Sequence, residues 1–141
     1  MKGKVFVDSN ILIYQFSETE PEKSELANSS ILELMSENRM VWSTQVIQEF
    51  YVVMTKKYKV PSLQVKKIIE AYSSAECVIN TPEIINMAID IQILNTLSFW
   101  DSLVLSSARS ANCTTLLTED MNAGQVVNGI SIINPFLTKI L

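Results

Sequence analysis

Short apolar runs rich in β-branched residues alternate with longer segments of helical apolar spacing along the chain. The short runs predict strands over residues 4–7, 40–42, 76–79, 115–118 and 130–133. Between them, the spacing and the capping residues predict helices over 11–16, 22–38, 44–58, 61–73 and 82–95, with another after Ser98. Strands separated by helices run parallel, so the pattern predicts an α/β fold with a central parallel β-sheet flanked by α-helices on both faces.

The size of the chain favours one domain over residues 1–141. With 141 residues, of which 48% are hydrophobic, the chain can build a single core. Three glycines and four prolines are spread along it, and neither a linker nor an internal repeat is visible.

The N-terminus and the cysteines indicate a cytoplasmic location. No long apolar run ends in a small-residue cleavage site, and no apolar stretch is long enough to cross a bilayer, so we expect no membrane association. Cys77 and Cys113 lie far apart among apolar residues, which is typical of reduced cysteines.

The chain contains no histidine, which removes several kinds of active site at once. Histidine is the commonest general base and metal ligand, and it is a member of the usual serine and cysteine nucleophile systems. Any catalysis must therefore use carboxylates, hydroxyls, lysine or a bound metal.

Four acids stand in apolar surroundings in four separate segments: Asp8, Glu49, Asp101 and Asp120. Asp8 and Asp120 follow predicted strands, at the sheet edge where open α/β sheets bind ligands. Glu49 lies beside the apolar stripe of its helix, and Asp101 follows Ser98 at the spacing of a capping box. No lysine or arginine is adjacent to any of the four.

A buried carboxylate must be hydrogen-bonded, protonated, paired or bound to a cation. Oxygen ligands favour Mg²⁺ or Mn²⁺, and these ions suit phosphoryl chemistry. The four acids are thus predicted to be both the metal ligands and the catalytic residues of a hydrolase.

Each acid also has an ordinary structural role open to it. Asp8 and Asp101 are suited to capping helices, Glu49 to a helix boundary and Asp120 to a turn. These roles leave unexplained why four apolar segments each end on an acid, so the joint functional interpretation is the stronger one. Three polar neighbours fit hydrogen bonds to the acids and turn or cap positions equally well: Ser9, Asn10 and Thr118. For Glu119, the sequence leaves two alternatives open: a side chain that belongs to the site, or one that points to solvent.

A net charge of −4 argues against general nucleic-acid binding, but four acids committed to cations would bring the balance to zero. Lysines at 56, 57, 59, 66 and 67 offer a place for a phosphate backbone, although a solvated helix face explains any one of them equally well. Trp42, Phe99 and Trp100 are interpreted as core residues rather than as base-stacking platforms.

Together these motifs resemble the PIN-domain family, in particular the VapC-type ribonuclease toxins of prokaryotic toxin–antitoxin pairs. The matching stretches are residues 5–12, 43–51, 97–103 and 117–125, leading to 133–136. The resemblance implies a single PIN-like domain, Mg²⁺ or Mn²⁺ held by the four acids, and cleavage of RNA. It also implies a cognate antitoxin and a homodimer. Ala123 departs from the pattern, since such turns often carry a further acid there.

Three other interpretations compete with this one. A phospho-acceptor receiver module needs a lysine after its last strand, where this chain has Asn134 and the nearest lysine is Lys139. A haloacid-dehalogenase-like phosphatase needs an acid where Asn10 stands. A catalytically silent PIN-like module that binds RNA or protein stays open as the alternative, although loss of catalysis would be expected to remove at least one of the four acids.

Overall fold

A computed structural model describes residues 2–137 of the chain. The strands in this range are β1 (Val5–Val7), β2 (Met40–Ser43), β3 (Glu76–Val78), β4 (Thr115–Leu117), β5 (Val126–Val127) and β6 (Ile130–Ile133). The helices are α1 (Ser9–Tyr14), α2 (Pro21–Ser36), α3 (Thr44–Lys56), α4 (Ser62–Ala71), α5 (Pro82–Asn95) and α6 (Phe99–Ser110). The predicted domain also included residues 138–141, with Lys139, which lie outside the described residues.

The strands form one sheet in the order β3-β2-β1-β4-β6-β5. All neighbouring pairs are parallel except β5 and β6, which are antiparallel. The predicted parallel sheet is therefore confirmed. β1 lies near its centre, and Val5, Phe6 and Val7 are all buried, because both faces of this strand are covered.

The β5–β6 hairpin is missing from the sequence prediction. Asn128 and Gly129 join the two strands, and both have positive φ, at 53° and 81°. Positive φ at both central residues is what a two-residue hairpin turn of this twist requires, and Asn-Gly is its strongest sequence signal. The signal was present, but β5 is two residues long and Val126 is exposed, so no alternating pattern marks it.

The helices divide into two groups that cover opposite faces of the sheet. Helices α1, α2, α3 and α4 pack against one another, and α5 packs along α6. The chain moves outward from β1 to β3 and then returns to β4, so right-handed crossovers place the first group on one face and the second on the other. The predicted flanking helices are confirmed.

Side-chain caps begin the helices that carry the acids. The carboxylate of Asp8 caps α1, and the hydroxyls of Ser43 and Ser98 accept hydrogen bonds from backbone amides at the start of α3 and α6. Such caps satisfy amides that the first helical turn leaves without a partner. They also fix where Glu49 and Asp101 fall, in the second turn of α3 and the first turn of α6.

Among residues 2–137, no helix is long and apolar enough to span a membrane. Cys77 and Cys113 are both free. Cys113 is buried as expected, whereas Cys77 is exposed on the edge strand β3.

Candidate active site

Two neighbouring strands end side by side near the centre of the sheet. β1 and β4 pair in parallel with Val7 opposite Leu117, and the Asp8 amide donates to the Leu117 carbonyl at 3.0 Å. The connection after β1 leads to β2 on one side, while β4 lies on the other side. Diverging connections of this kind leave a crevice beyond the strand ends. Asp8 and the segment Thr118–Asp120 border this crevice.

Asp8 is buried and held by several hydrogen bonds. Its Oδ1 accepts from the Ser9 amide at 2.8 Å, and its Oδ2 accepts from the Thr118 hydroxyl at 2.9 Å and from Asn10 Nδ2 at 3.4 Å. Burial raises the pKa of Asp8 to about 6, although the bonds from Thr118 and Ser9 oppose the rise. Burial makes the ionised form of Asp8 costly, and a nearby cation would stabilise that form.

Asn10 joins the two strand-end acids. Its Nδ2 donates to Asp120 Oδ2 at 2.9 Å and also lies within hydrogen-bonding distance of Asp8 Oδ2 and Thr118 Oγ1. Its Oδ1 accepts from the Glu119 amide at 3.2 Å. One side chain thereby fixes the β4 loop against the start of α1, and the structure favours the hydrogen-bonding role for Asn10 that the sequence had left open.

Glu49 reaches the crevice from α3. It is half-buried, and its Oε1 accepts from the Ser9 hydroxyl at 3.2 Å. Burial raises the pKa of Glu49 above its ordinary value. Ser9 therefore serves two of the acids, since its amide bonds Asp8 and its hydroxyl bonds Glu49.

Asp101 reaches the crevice from the first turn of α6. The Ser98 hydroxyl accepts from the Asp101 amide at 3.1 Å, which is one half of the predicted capping box. The return hydrogen bond of a capping box, which the Ser98 amide would donate to the Asp101 carboxylate, is absent among residues 2–137. Burial raises the pKa of Asp101, and a hydrogen bond from the Ser98 side chain to its carboxylate opposes the rise.

The four acids influence one another electrostatically. Beyond the effect of burial, the charges of Glu49 and Asp120 raise the pKa of Asp8. The charges of Asp101 and Asp120 raise that of Glu49 in the same way, and Asp120 acts on Asp101. Mutual influence of this kind requires proximity. Within the described chain, none of the four forms a salt bridge with lysine or arginine.

The chemistry of this donor set fits a hard divalent cation, since every group facing the crevice is a carboxylate, amide or hydroxyl. As the side chains stand, however, no three acids or cysteines of residues 2–137 converge closely enough to hold an ion. The four acids are therefore neighbours around one crevice rather than a closed cage.

A comparison with family models shows the family of the chain. The family model described as the PIN domain matches residues 5–127 of the chain, which include all four acids. The chain belongs to the PIN-domain family. Among curated proteins, no sequence match is found.

Solved structures share the PIN fold of this chain at low sequence identity. A toxin–antitoxin complex from Klebsiella pneumoniae is 20% identical with a TM-score of 0.69, over 94% of this chain and 98% of that one. VapBC2 from Rickettsia felis, bound to a DNA fragment from its promoter, is 17% identical with a TM-score of 0.66, over 91% and 96%. VapC20 from Mycobacterium tuberculosis, described as a sarcin–ricin loop cleaving toxin, is 13% identical with a TM-score of 0.63, over 80% and 87%.

Glu119 of this PIN domain lines a cavity together with Asp120, but its carboxylate has other partners. Its carboxylate accepts from Tyr14 and pairs with Lys23, both at 2.6 Å. Lys23 lies over the rings of Tyr14 and Phe136, with its Nζ 4.9 and 5.2 Å from their centroids. Sequence reasoning missed Tyr14 and Lys23, because Lys23 pairs across 96 positions of the chain and nothing local marks the contact.

One of the predicted lysines borders the site. Lys57 and Tyr58 line a cavity of about 340 Å³ together with Asn10, Asp120 and Tyr14. A cation at the rim of an acidic crevice is suitably placed to contact a phosphate of a bound strand. The other lysines of the predicted cluster, at 56, 59, 66 and 67, are exposed and line none of the described cavities that include a site acid.

The prediction that Trp100 belongs to the core is wrong. Trp42 is buried as expected and Phe99 is partly buried, but Trp100 is 61% exposed. Trp100 precedes Asp101 in the first turn of α6, and the N-cap residue Ser98 is exposed as well. Apolar neighbours in the sequence suggested burial, but the position of Trp100 in the first turn of the helix places its side chain in contact with solvent.

Proposed function

We propose that this PIN domain is a metal-dependent endoribonuclease that hydrolyses RNA phosphodiester bonds through Asp8, Glu49, Asp101 and Asp120. The main support is the way Asp8, buried at the end of β1, is linked to two of the other acids. The Asn10 side-chain amide donates to both Asp8 and Asp120. Ser9 donates to Asp8 through its backbone amide and to Glu49 through its hydroxyl. These contacts gather acids from separate segments at the ligand-binding edge of the sheet. Asp101 completes the set electrostatically.

The chain's own side chains would hold and orient the reactants. The four acids are the proposed ligands of Mg²⁺ or Mn²⁺, which supplies positive charge and activation of water for phosphodiester hydrolysis. Thr118 and Asn10 orient the carboxylate of Asp8, and Ser9 orients that of Glu49. Lys57 lies where a phosphate of the RNA strand can be held beside the acids.

The first test is cleavage of a mixed RNA pool by the purified protein with Mg²⁺, with Mn²⁺ and with EDTA. The proposal predicts cleavage only with metal, and its loss in Asp8→Asn and Asp101→Asn. The matched control is Glu25→Gln, an exposed acid on α2 that should cut as the wild type does. Cleavage that persists in EDTA, or that survives both site substitutions, would refute the four-acid mechanism.

One observation favours a second candidate, a catalytically silent PIN-like binding module. No three acids converge on a common point within residues 2–137. A module of this kind would bind RNA or protein at the same edge without needing a metal. Absence of cutting under any metal, from folded protein free of partner, would support it.

We also propose that the domain is the toxin of a toxin–antitoxin pair and that its cognate antitoxin covers the crevice. Support comes from the acidic character of the crevice, which a basic side chain of an antitoxin would neutralise. The structural neighbours that are toxin–antitoxin complexes support the same assignment. Expression of the wild type should arrest growth of a host cell, and Asp8→Asn should not. A basic antitoxin encoded next to the gene should relieve the arrest.

A homodimer is the proposed assembly, and α5 is the proposed contact surface. This helix carries exposed apolar side chains along its length: Ile85, Met87, Ile89, Ile93 and Leu94. A second copy would cover such a face, because monomers rarely expose contiguous apolar surface of this kind. Ile93→Asp should convert a dimer to a monomer in light scattering, whereas Leu32→Asp on exposed α2 should leave the mass unchanged.

A further inference from the structure

A second cavity adjoins the acids, and Val53 of α3 lines both this cavity and the one that includes Lys57. It has a volume of about 460 Å³ and lies between α1, α3 and α6. We call it the Trp100 cavity; it is lined by Trp100, Gln45, Gln48, Ser9, Glu49 and two valines of α3. Because Ser9 and Glu49 belong to both, the Trp100 cavity is continuous with the candidate active site.

Trp100 forms an exposed wall of this cavity. The Phe99 ring packs edge-on against it, with centroids 5.2 Å apart and an interplanar angle of 74°. This contact fixes the indole while more than half of the side chain faces solvent. A fixed, exposed aromatic face is a stacking surface for a nucleobase, and such stacking is not selective by itself.

Gln45 carries an unsatisfied acceptor in the same place. The residue is only 6% exposed, and within residues 2–137 its Oε1 is the buried side-chain atom that has no hydrogen-bond partner. Its amide also lowers the pKa of Glu49, which indicates that the N–H side faces that carboxylate. A buried acceptor without a partner is costly, and a donor group of a bound molecule or an ordered water would satisfy the Oε1.

The charge of the lining separates a base from a phosphate. Glu49 is the charged residue of the Trp100 cavity, and neither lysine nor arginine lines it. The lining thus offers a phosphate no basic side chain, whereas an uncharged planar base with amino and carbonyl groups matches an indole and two amides. Glutamine amides can both donate to and accept from a base edge.

We propose that the Trp100 cavity binds the base of a nucleotide adjacent to the scissile phosphate of an RNA strand. Trp100 stacks on the base, and Gln45 and Gln48 select it by hydrogen bonds. The inference rests on the proposed ribonuclease function and adds to it a site that determines base preference. A protein segment filling the same cavity is the competing occupant, and the experiments below separate the two.

The first experiment uses the four uncharged ribonucleosides, which avoid repulsion by the acids and need no metal. Each is titrated into ¹⁵N-labelled full-length protein while the two indole N–H signals are followed by NMR. At least one nucleoside should shift the Trp100 signal saturably and leave that of buried Trp42 in place. Trp100→Leu lacks the Trp100 indole signal, so binding to this variant is followed through the side-chain amide signal of Gln48. The affinity for that nucleoside should weaken roughly 5- to 150-fold. Trp100→Phe should restore part of it, and Leu32→Ala on α2 should match the wild type.

The second experiment maps cut sites in the mixed RNA pool. Trp100→Leu and Gln48→Leu should broaden the base preference next to the cut, while Leu32→Ala should leave it unchanged. Unchanged cut sites in both cavity variants, with no saturable shift by any nucleoside, would overturn the inference and leave the ribonuclease intact; this is the result a protein occupant would give. If the wild type cuts no RNA, the ribonuclease proposal fails, and the nucleoside titration still decides whether the cavity binds a base.

Discussion

The candidate site has two halves that are built differently. The strand half consists of Asp8 and Asp120, which follow β1 and β4 and are joined through Asn10 and Thr118. The helix half consists of Glu49 and Asp101, which project from α3 and α6, and Ser9 donates to Glu49. Hydrogen bonds fix the first half, whereas the packing of two helices on opposite faces of the sheet places the second.

This difference indicates which half adapts. The acids do not converge on one point, and the strand half is already restrained by its hydrogen bonds. We therefore expect Glu49 and Asp101 to make most of the side-chain movement when a cation binds. Substitutions in the strand half should have larger effects than their counterparts in the helix half.

The largest expected effect is that of Asp8→Asn on cleavage. Replacement of a direct ligand should exceed the 10- to 100-fold loss that is typical for residues that only orient ligands, so we expect a decrease in kcat/KM of more than about 100-fold. The substitution keeps the side chain's size. Single-turnover cleavage with saturating Mn²⁺ measures it, and a loss below tenfold would show that the strand half is not the centre of the site.

The next effect compares the two orienting residues. Asn10→Ala removes the amide shared by Asp8 and Asp120, and we expect a loss of roughly 10- to 100-fold in kcat/KM or in metal affinity. Ser9→Ala removes only the hydroxyl that bonds Glu49 and should cost less than about tenfold. Equal effects in the same assay would contradict the proposed difference between the halves.

A third prediction concerns the stability of the metal-free protein. The folded pKa of Asp8 is raised from 3.8 to about 6, so its contribution to folding is fully present below about pH 4 and is lost as the pH rises through 6. Asp8→Asn does not ionise, so its stability does not fall in this way. In EDTA, its unfolding free energy relative to wild type should rise by roughly 2–3 kcal/mol between pH 4 and pH 7. Urea unfolding of both proteins measures this, with Glu25→Gln on α2 as control, and a constant difference would contradict the buried state of Asp8.

The smallest predicted effect lies at the rim. Lys57→Ala should raise KM a few-fold and reduce the dependence of log KM on log salt by about 0.7, since one phosphate contact to a single strand is lost. Lys67→Ala removes the same charge from the exposed surface of α4, away from the described cavities next to the acids. Identical salt dependence in the two variants would mean that Lys57 contacts no phosphate.

The positions of the acids in the strand half could be predicted from the sequence, whereas many of the contacts around the site could not. A buried strand that runs directly into an acid places Asp8 at the sheet edge, and the same logic applies to Asp120 after β4. The partners of Glu119 could not be predicted, because Tyr14 and Lys23 reach it only through the packing of α1 and α2 on the β4 loop. Trp100 was assigned to the core because local apolarity does not reveal which side of a helix start faces solvent. The roles of the four acids stay predictions until they are measured.

Direct measurement of Mn²⁺ binding tests the central claim most closely. Calorimetric titration of the wild type should give stoichiometric binding that weakens by at least about tenfold in each of Asp8→Asn, Glu49→Gln, Asp101→Asn and Asp120→Asn, and stays unchanged in Glu25→Gln on α2. The account predicts the greatest weakening for Asp8→Asn. Mn²⁺ affinity that is the same in the wild type and in all four variants would contradict a metal centre built from these acids.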